Sequence, residues 1–91
     1  MLIETLVEEA IKTVNKEQKI PELMHLNNST PLFELLDSLG TLDLILELED
    51  RLQSETNNYI AIADEFSMDS DKTPFKTLSS LKKFVQEKLD G

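Results

Sequence analysis

Ser38 is the residue whose surroundings most suggest chemistry. It stands in Asp37-Ser38-Leu39-Gly40, directly ahead of a leucine-rich, acidic helical pattern from Thr41 to Leu52. A hydrolytic serine needs a positioned base and the sharp turn that exposes it. Here His25 is the only histidine and Ser38 is not flanked by glycines on both sides, so the chain is not expected to be an enzyme. The plainer role for Asp37-Ser38 is to cap a helix, since both side chains accept well from first-turn N–H groups. There is no cysteine, which excludes disulfides, thiolate metal sites and a sulfur nucleophile belonging to the polypeptide. Asp69, Asp71 and Thr73 imitate the start of a calcium loop. Pro74 replaces the sharp-turn glycine and Ser80 the closing glutamate, so no specific metal site is expected.

The elements that must position Ser38 fit within a small chain. Its 91 residues, 40% hydrophobic and 30% charged, supply one modest core and are read as a single domain over residues 1–91. No apolar run approaches the roughly 20 residues that cross a bilayer, so membrane insertion is not expected. Glu4, Glu8 and Glu9 occupy the N-terminal stretch where a secretory signal would carry bases, which makes a cytoplasmic location the expectation.

Net charge is -9, and its distribution says more than its size. From Ile20 to Asp71, twelve acids face a single base, Arg51. The lysines gather toward the two ends, at Lys12, Lys16 and Lys19, then at Lys72, Lys76, Lys82, Lys83 and Lys88. Such a field repels nucleic acid and anionic lipid, and it draws in partners with basic surfaces.

Three segments carry helical periodicity. In the first, Leu2, Ile3, Leu6, Val7, Ala10, Ile11 and Val14 share a face, with Glu4, Glu8, Glu9 and Lys12 outward and an end near Asn15 to Gln18. Lys19 to Glu34 holds Pro21, Asn27-Asn28-Ser29-Thr30 and Pro31. It reads as a long ordered loop anchored by Ile20, Leu23, Met24, Leu26, Leu32 and Phe33. Gln53 to Asn58 reads as a second loop. Ile60, Ile62 and Phe66 are assigned to a short helix around Asp64 to Met68. The last helix carries Leu78, Leu81, Phe84, Val85 and Leu89, with Thr77 as its N-cap and Lys82, Lys83 and Lys88 toward water or the C-terminal dipole. The expected fold is all-α: a small four-helix bundle with three main helices, a short third one and a long first loop.

The helix after Ser38 has two leucine stripes. At about 100° per residue, Thr41, Leu44, Ile45, Leu48 and Leu52 share one arc that suits a core. Leu39, Leu42 and Leu46 lie on another, beside Asp43, Glu49 and Asp50, and cannot point into the same core. Glu47 and Arg51 take part of the remaining circumference, which argues against burial on all sides. The second stripe is therefore expected to be an exposed surface for a partner.

Asp37-Ser38-Leu39, followed by Thr41-Leu42-Asp43-Leu44 and Leu48-Glu49-Asp50, resembles the Asp-Ser-Leu signature and recognition helix of the acyl carrier protein family. The order of elements is similar along essentially the whole chain. The resemblance implies that Ser38 receives 4'-phosphopantetheine from coenzyme A and that Asp37 helps a phosphopantetheinyl transferase recognise the site. It also implies that Leu39, Leu42, Asp43, Leu46, Glu47, Glu49 and Asp50 meet basic surfaces of acyl-loading ligases and of acyl-transferring or condensing enzymes, as in fatty acid or other specialised acyl biosynthesis. The chain would work as a monomer. A thioester hands on its acyl group far more readily than a serine ester, and a protein without cysteine must import the thiol. The phosphate of such an arm would lie at a helix start, where free N–H groups and the helix dipole accommodate an anion.

The sequence departs from the family pattern at three points. Gly40 stands where fatty-acid carriers usually have an acid, Leu35 or Leu36 where they have a glycine, and the paired glycines of peptidyl carriers are missing. Leu35 to Thr41, with Leu44-Ile45-Leu46-Glu47-Leu48, is more similar to D-alanyl carriers and other stand-alone carriers, as are Glu65-Phe66 and Thr73-Pro74 more loosely. These departures bear on the cargo, acyl or aminoacyl. A reading of another class is an acidic helical adaptor that uses the same leucine stripe with no prosthetic group.

Overall fold

A computed structural model describes residues 2–63 and 72–90. The short helix expected around Asp64 to Met68, with Phe66, lies outside the described residues, as do Asp69 and Asp71. Among the described residues the fold is all-α, with four α-helices, one 3-10 turn and no strand.

Helix α1 (Ile3–Gln18) buries Leu6, Val7, Ala10, Ile11 and Val14 of the expected face; Ile3 is only partly buried, and Leu2, which precedes the helix, is 74% exposed and does not join the core. It stops without a glycine. Lys19 takes the left-handed conformation (φ 55°), its N–H donating to the Asn15 carbonyl at 2.8 Å. The buried Asn15 side chain then clamps Ile20, accepting from its N–H at 2.7 Å and donating to its carbonyl at 3.0 Å. These bonds offset the unfavourable φ of a residue bearing a Cβ.

The long first connection is more structured than expected. It holds a 3-10 turn (Pro21–Met24), a turn at residues 27–30 closed by Asn27 and Thr30, and the short helix α2 (Leu32–Leu35). Leu23 and Leu32 are fully buried anchors, and Ile20, Leu26 and Phe33 pack against the core. Met24 is not an anchor: it is 69% exposed, because in the tight turn only Leu23 points inward.

Helix α3 (Ser38–Thr56) runs further than the sequence suggests, since residues 53–56, expected as loop, are helical. Leu52 in the core holds this last stretch down. The stop comes from Asn57, left-handed at φ 59°, whose N–H donates to the Gln53 carbonyl at 2.8 Å. Asparagine tolerates that conformation better than most side chains.

Helix α4 (Leu78–Asp90) starts as expected at Thr77, whose hydroxyl accepts from the Ser80 N–H at 3.1 Å; the Ser80 hydroxyl accepts in return from the Thr77 N–H at 3.0 Å. Two further N–H groups are satisfied from far upstream. Leu78 donates to the Thr30 carbonyl and Ser79 to the Asn28 carbonyl, each at 3.0 Å. Lys82 does not face water. It donates to Glu8 at 2.9 Å and ties α4 to α1, with the Lys82 side chain 16% exposed and that of Glu8, expected outward, still 36% exposed. Phe75, before α4, is fully buried, as is Ile62 after α3. No described helix is long and apolar enough to cross a membrane.

Candidate functional site

Asp37, not Ser38, caps α3. With extended backbone (φ -77°, ψ -178°), its Oδ1 accepts from the Gly40 N–H at 2.7 Å, and its carbonyl accepts from the Thr41 N–H at 2.9 Å. Ser38 is thereby left as the first residue of the helix proper. It is exposed, and its hydroxyl makes no hydrogen bond to a described residue. The N–H groups of Ser38 and Leu39 likewise have no acceptor among the described residues, so donors and the positive end of the helix dipole sit beside that hydroxyl.

Gly40 explains how the cap fits against the rest of the fold. A Cβ there would lie 3.2 Å from Asp37 Oδ1, from Gln18 Cδ and from Leu36 Cδ2. The end of α1, the residue before the cap and the first turn of α3 converge on this point. Any side chain at the position would press on the capping carboxylate and on Gln18 and Leu36, which would have to give by a few tenths of an ångström.

The two stripes of α3 separate cleanly. Thr41, Leu44, Ile45, Leu48 and Leu52 are buried, whereas Leu39, Leu42 and Leu46 are 63%, 49% and 55% exposed. Ser38 and the apolar ridge therefore share one open side of the helix. Beside them lies a cleft of about 430 Å³, lined by Phe33, Leu36, Asp37, Ser38, Thr41, Leu42, Ile45 and Ala63. Apart from Asp37, Ser38 and Thr41, its walls are apolar.

The four acids of the expected partner surface are not equivalent. Asp50 is exposed, and Asp43 is half-buried on the side that faces Thr13 and Glu17 of α1. Glu47 accepts from Arg51 Nε at 2.9 Å, and Arg51 also donates to the Thr13 hydroxyl at 2.8 Å and approaches Glu9 at 3.6 Å. Glu47 thus belongs to a clamp between α3 and α1. Glu49 is also committed: its Oε2 accepts from the N–H of Ile62 at 2.8 Å and of Ala63 at 3.2 Å, with the Tyr59 hydroxyl at 3.5 Å. That role was not visible in the sequence, because nothing in residues 57–63 announces that they return along α3.

His25 is exposed in the loop after the 3-10 turn and has no bond to Ser38. Among the described residues, no group of three or more His, Cys, Asp or Glu is placed to hold a metal ion. Comparisons with known protein families, with curated proteins and with solved structures return no match for this chain.

Proposed function

We propose that this protein is an acyl or aminoacyl carrier, in which Ser38 is the attachment point for 4'-phosphopantetheine. The observation that carries the reading is the division of labour at the head of α3. Asp37 does the capping, so the Ser38 hydroxyl stays exposed, without a hydrogen bond to any described residue, next to an apolar ridge on the same helix. A serine that merely capped α3 would have its oxygen engaged by a first-turn N–H.

The residues present suit the group. The Ser38 oxygen would form a phosphodiester with the pantetheine phosphate of coenzyme A, losing its proton as adenosine 3',5'-bisphosphate leaves. The N–H groups of Ser38 and Leu39, which have no acceptor among the described residues, favour an anion at that place. The bound arm supplies the thiol that the cysteine-free chain lacks, and with it a thioester. Everything else falls to this chain's own side chains. Leu39 and Leu46 present a surface that a client enzyme covers, Asp50 and Asp43 border it with negative charge, and the apolar cleft beside Ser38 suits the alkyl part of a tether or cargo. The finer fold reading, a carrier-type bundle closed by a short helix between α3 and α4, belongs to the same proposal, as do a monomeric state and a location in the cytoplasm.

Intact mass after incubation with coenzyme A and a broad-specificity phosphopantetheinyl transferase tests the reading. One adduct of phosphopantetheine mass, absent in Ser38→Ala, is expected. A folded wild-type protein that gains no mass would overturn it and favour an adaptor that uses the exposed ridge alone.

A further inference from the structure

Glu49 follows the core residue Leu48 in the chain and adjoins the exposed ridge, yet its carboxylate serves neither. A single oxygen, Oε2, gathers the backbone N–H groups of Ile62 and Ala63 and faces the Tyr59 hydroxyl. Ile62 is fully buried, and Ala63 lines the cleft that Ser38 also lines. In helical projection Glu49 falls about 20° from Ser38, whereas Asp50, Asp43 and Glu47 fall about 120° to 180° away, on the opposite flank of the ridge. The four acids that border the ridge thus divide by angle. Those on one flank face solvent or α1, and the one on the other flank grips the segment that walls the cleft.

We propose that Glu49 is a positioning residue of the Ser38 site: by holding residues 59–63 against α3, it sets the wall that Ala63 contributes to the cleft beside Ser38, and so governs how the cleft takes a neutral alkyl chain. The functional meaning rests on the carrier reading of Ser38, but the device itself rests on hydrogen bonds within the unmodified chain. A backbone N–H donating to an ionised carboxylate makes a stronger bond than one donating to a neutral oxygen. Two such bonds converging on one oxygen hold a segment that follows a left-handed turn at Asn57 and has no helix to define its course from there to Ile62. The cleft's apolar walls and its place at Ser38 identify an alkyl chain as the occupant whose fit depends on that wall.

The test uses the full unmodified chain as wild type, Glu49→Ala, Glu49→Gln and Asp50→Asn. Amide hydrogen exchange at Ile62 and Ala63 is expected to speed up at least tenfold in Glu49→Ala and less in Glu49→Gln, which keeps an acceptor oxygen. Asp50→Asn is expected to have no effect, and the amides of Leu44 and Leu48 to stay protected throughout. Titration with 1-decanol, followed at the Ala63 and Ile45 methyl resonances, is expected to shift its half-saturation at least threefold in Glu49→Ala and not in Asp50→Asn. A merely stabilising role would lower the melting temperature without moving that midpoint. Unchanged exchange at Ile62 and Ala63, no saturable shift in the wild type, or the same midpoint in Glu49→Ala would each overturn the proposal. Should Glu49→Ala lose its helices, Glu49→Gln decides by the same two measurements. A missing phosphopantetheine adduct sinks the carrier reading alone and leaves these results standing.

Discussion

Two neighbouring side chains decide what the head of α3 can do. Asp37 Oδ1 holds the Gly40 N–H, and this bond releases Ser38 from the structural duty that a serine at a helix start usually performs. Asp37→Ala is expected to cost about 0.5 to 2 kcal/mol, read as a lower urea midpoint at constant slope, and Asp37→Asn much less, because it keeps the accepting oxygen. Ser38→Ala, by contrast, removes no hydrogen bond to a described residue and is expected to leave the midpoint within about 0.5 kcal/mol. A large loss there would show that the hydroxyl has a structural partner after all. Gly40 is the third member of this small unit. Gly40→Val would bring a branched side chain into contacts already at 3.2 Å and is expected to destabilise by about 1 to 3 kcal/mol, seen in the same denaturation experiment.

At the level of elements, the clearest consequence is the asymmetry of α3. Leu48 is fully buried and Leu46 is not, two residues apart on the same helix. Leu48→Ala is expected to cost about 2 to 5 kcal/mol through the cavity it leaves. Leu46→Ala should stay within about 0.5 kcal/mol and, on the proposed carrier reading, act instead on partner binding. Equal losses in thermal or urea unfolding would refute the two-stripe description. This separation was legible in the residues themselves, because a helical period acts along one element and needs no knowledge of its neighbours. So were α1, the start of α4 at Thr77 and the place of Ser38. The ends were harder to read. Lys19 ends α1 through a left-handed backbone that a lysine does not advertise, Asn57 is one of two adjacent asparagines suited to that conformation, and the extension of α3 through Thr56 follows from Leu52 being held in the core. The roles of Glu47, Glu49 and Lys82 were hidden for the same reason. Each depends on which distant segment lies opposite, and spacing along the chain carries no such information.

Across the whole molecule, charge and clamps are interleaved. Arg51, the single base between Ile20 and Asp71, is spent joining Glu47, Thr13 and Glu9, so it neutralises little of the ridge's border while binding α3 to α1. Charge reversal should therefore have different effects at different acids. Asp50→Lys is expected to slow association with a basic partner, more at low salt than at high salt, with stability nearly unchanged. Glu47→Lys should slow association too but also loosen the α1–α3 clamp, seen as a lower melting temperature. Rapid-mixing rates measured across a salt series check both, and a wild-type rate indifferent to salt would remove long-range attraction from the account.

The carbonyls of Asn28 and Thr30 that receive Ser79 and Leu78 have one more implication, for the order in which the polypeptide acquires shape during synthesis. The closing segment, only 13 residues long, falls within the range where isolated helices are marginal in water, and part of its starting turn is supplied by a stretch translated long before it. A synthetic peptide covering residues 72–91 should accordingly give a largely random-coil circular dichroism spectrum. On the ribosome, the earlier portion would wait, partly unsealed, until α4 has left the exit tunnel and can pack against it.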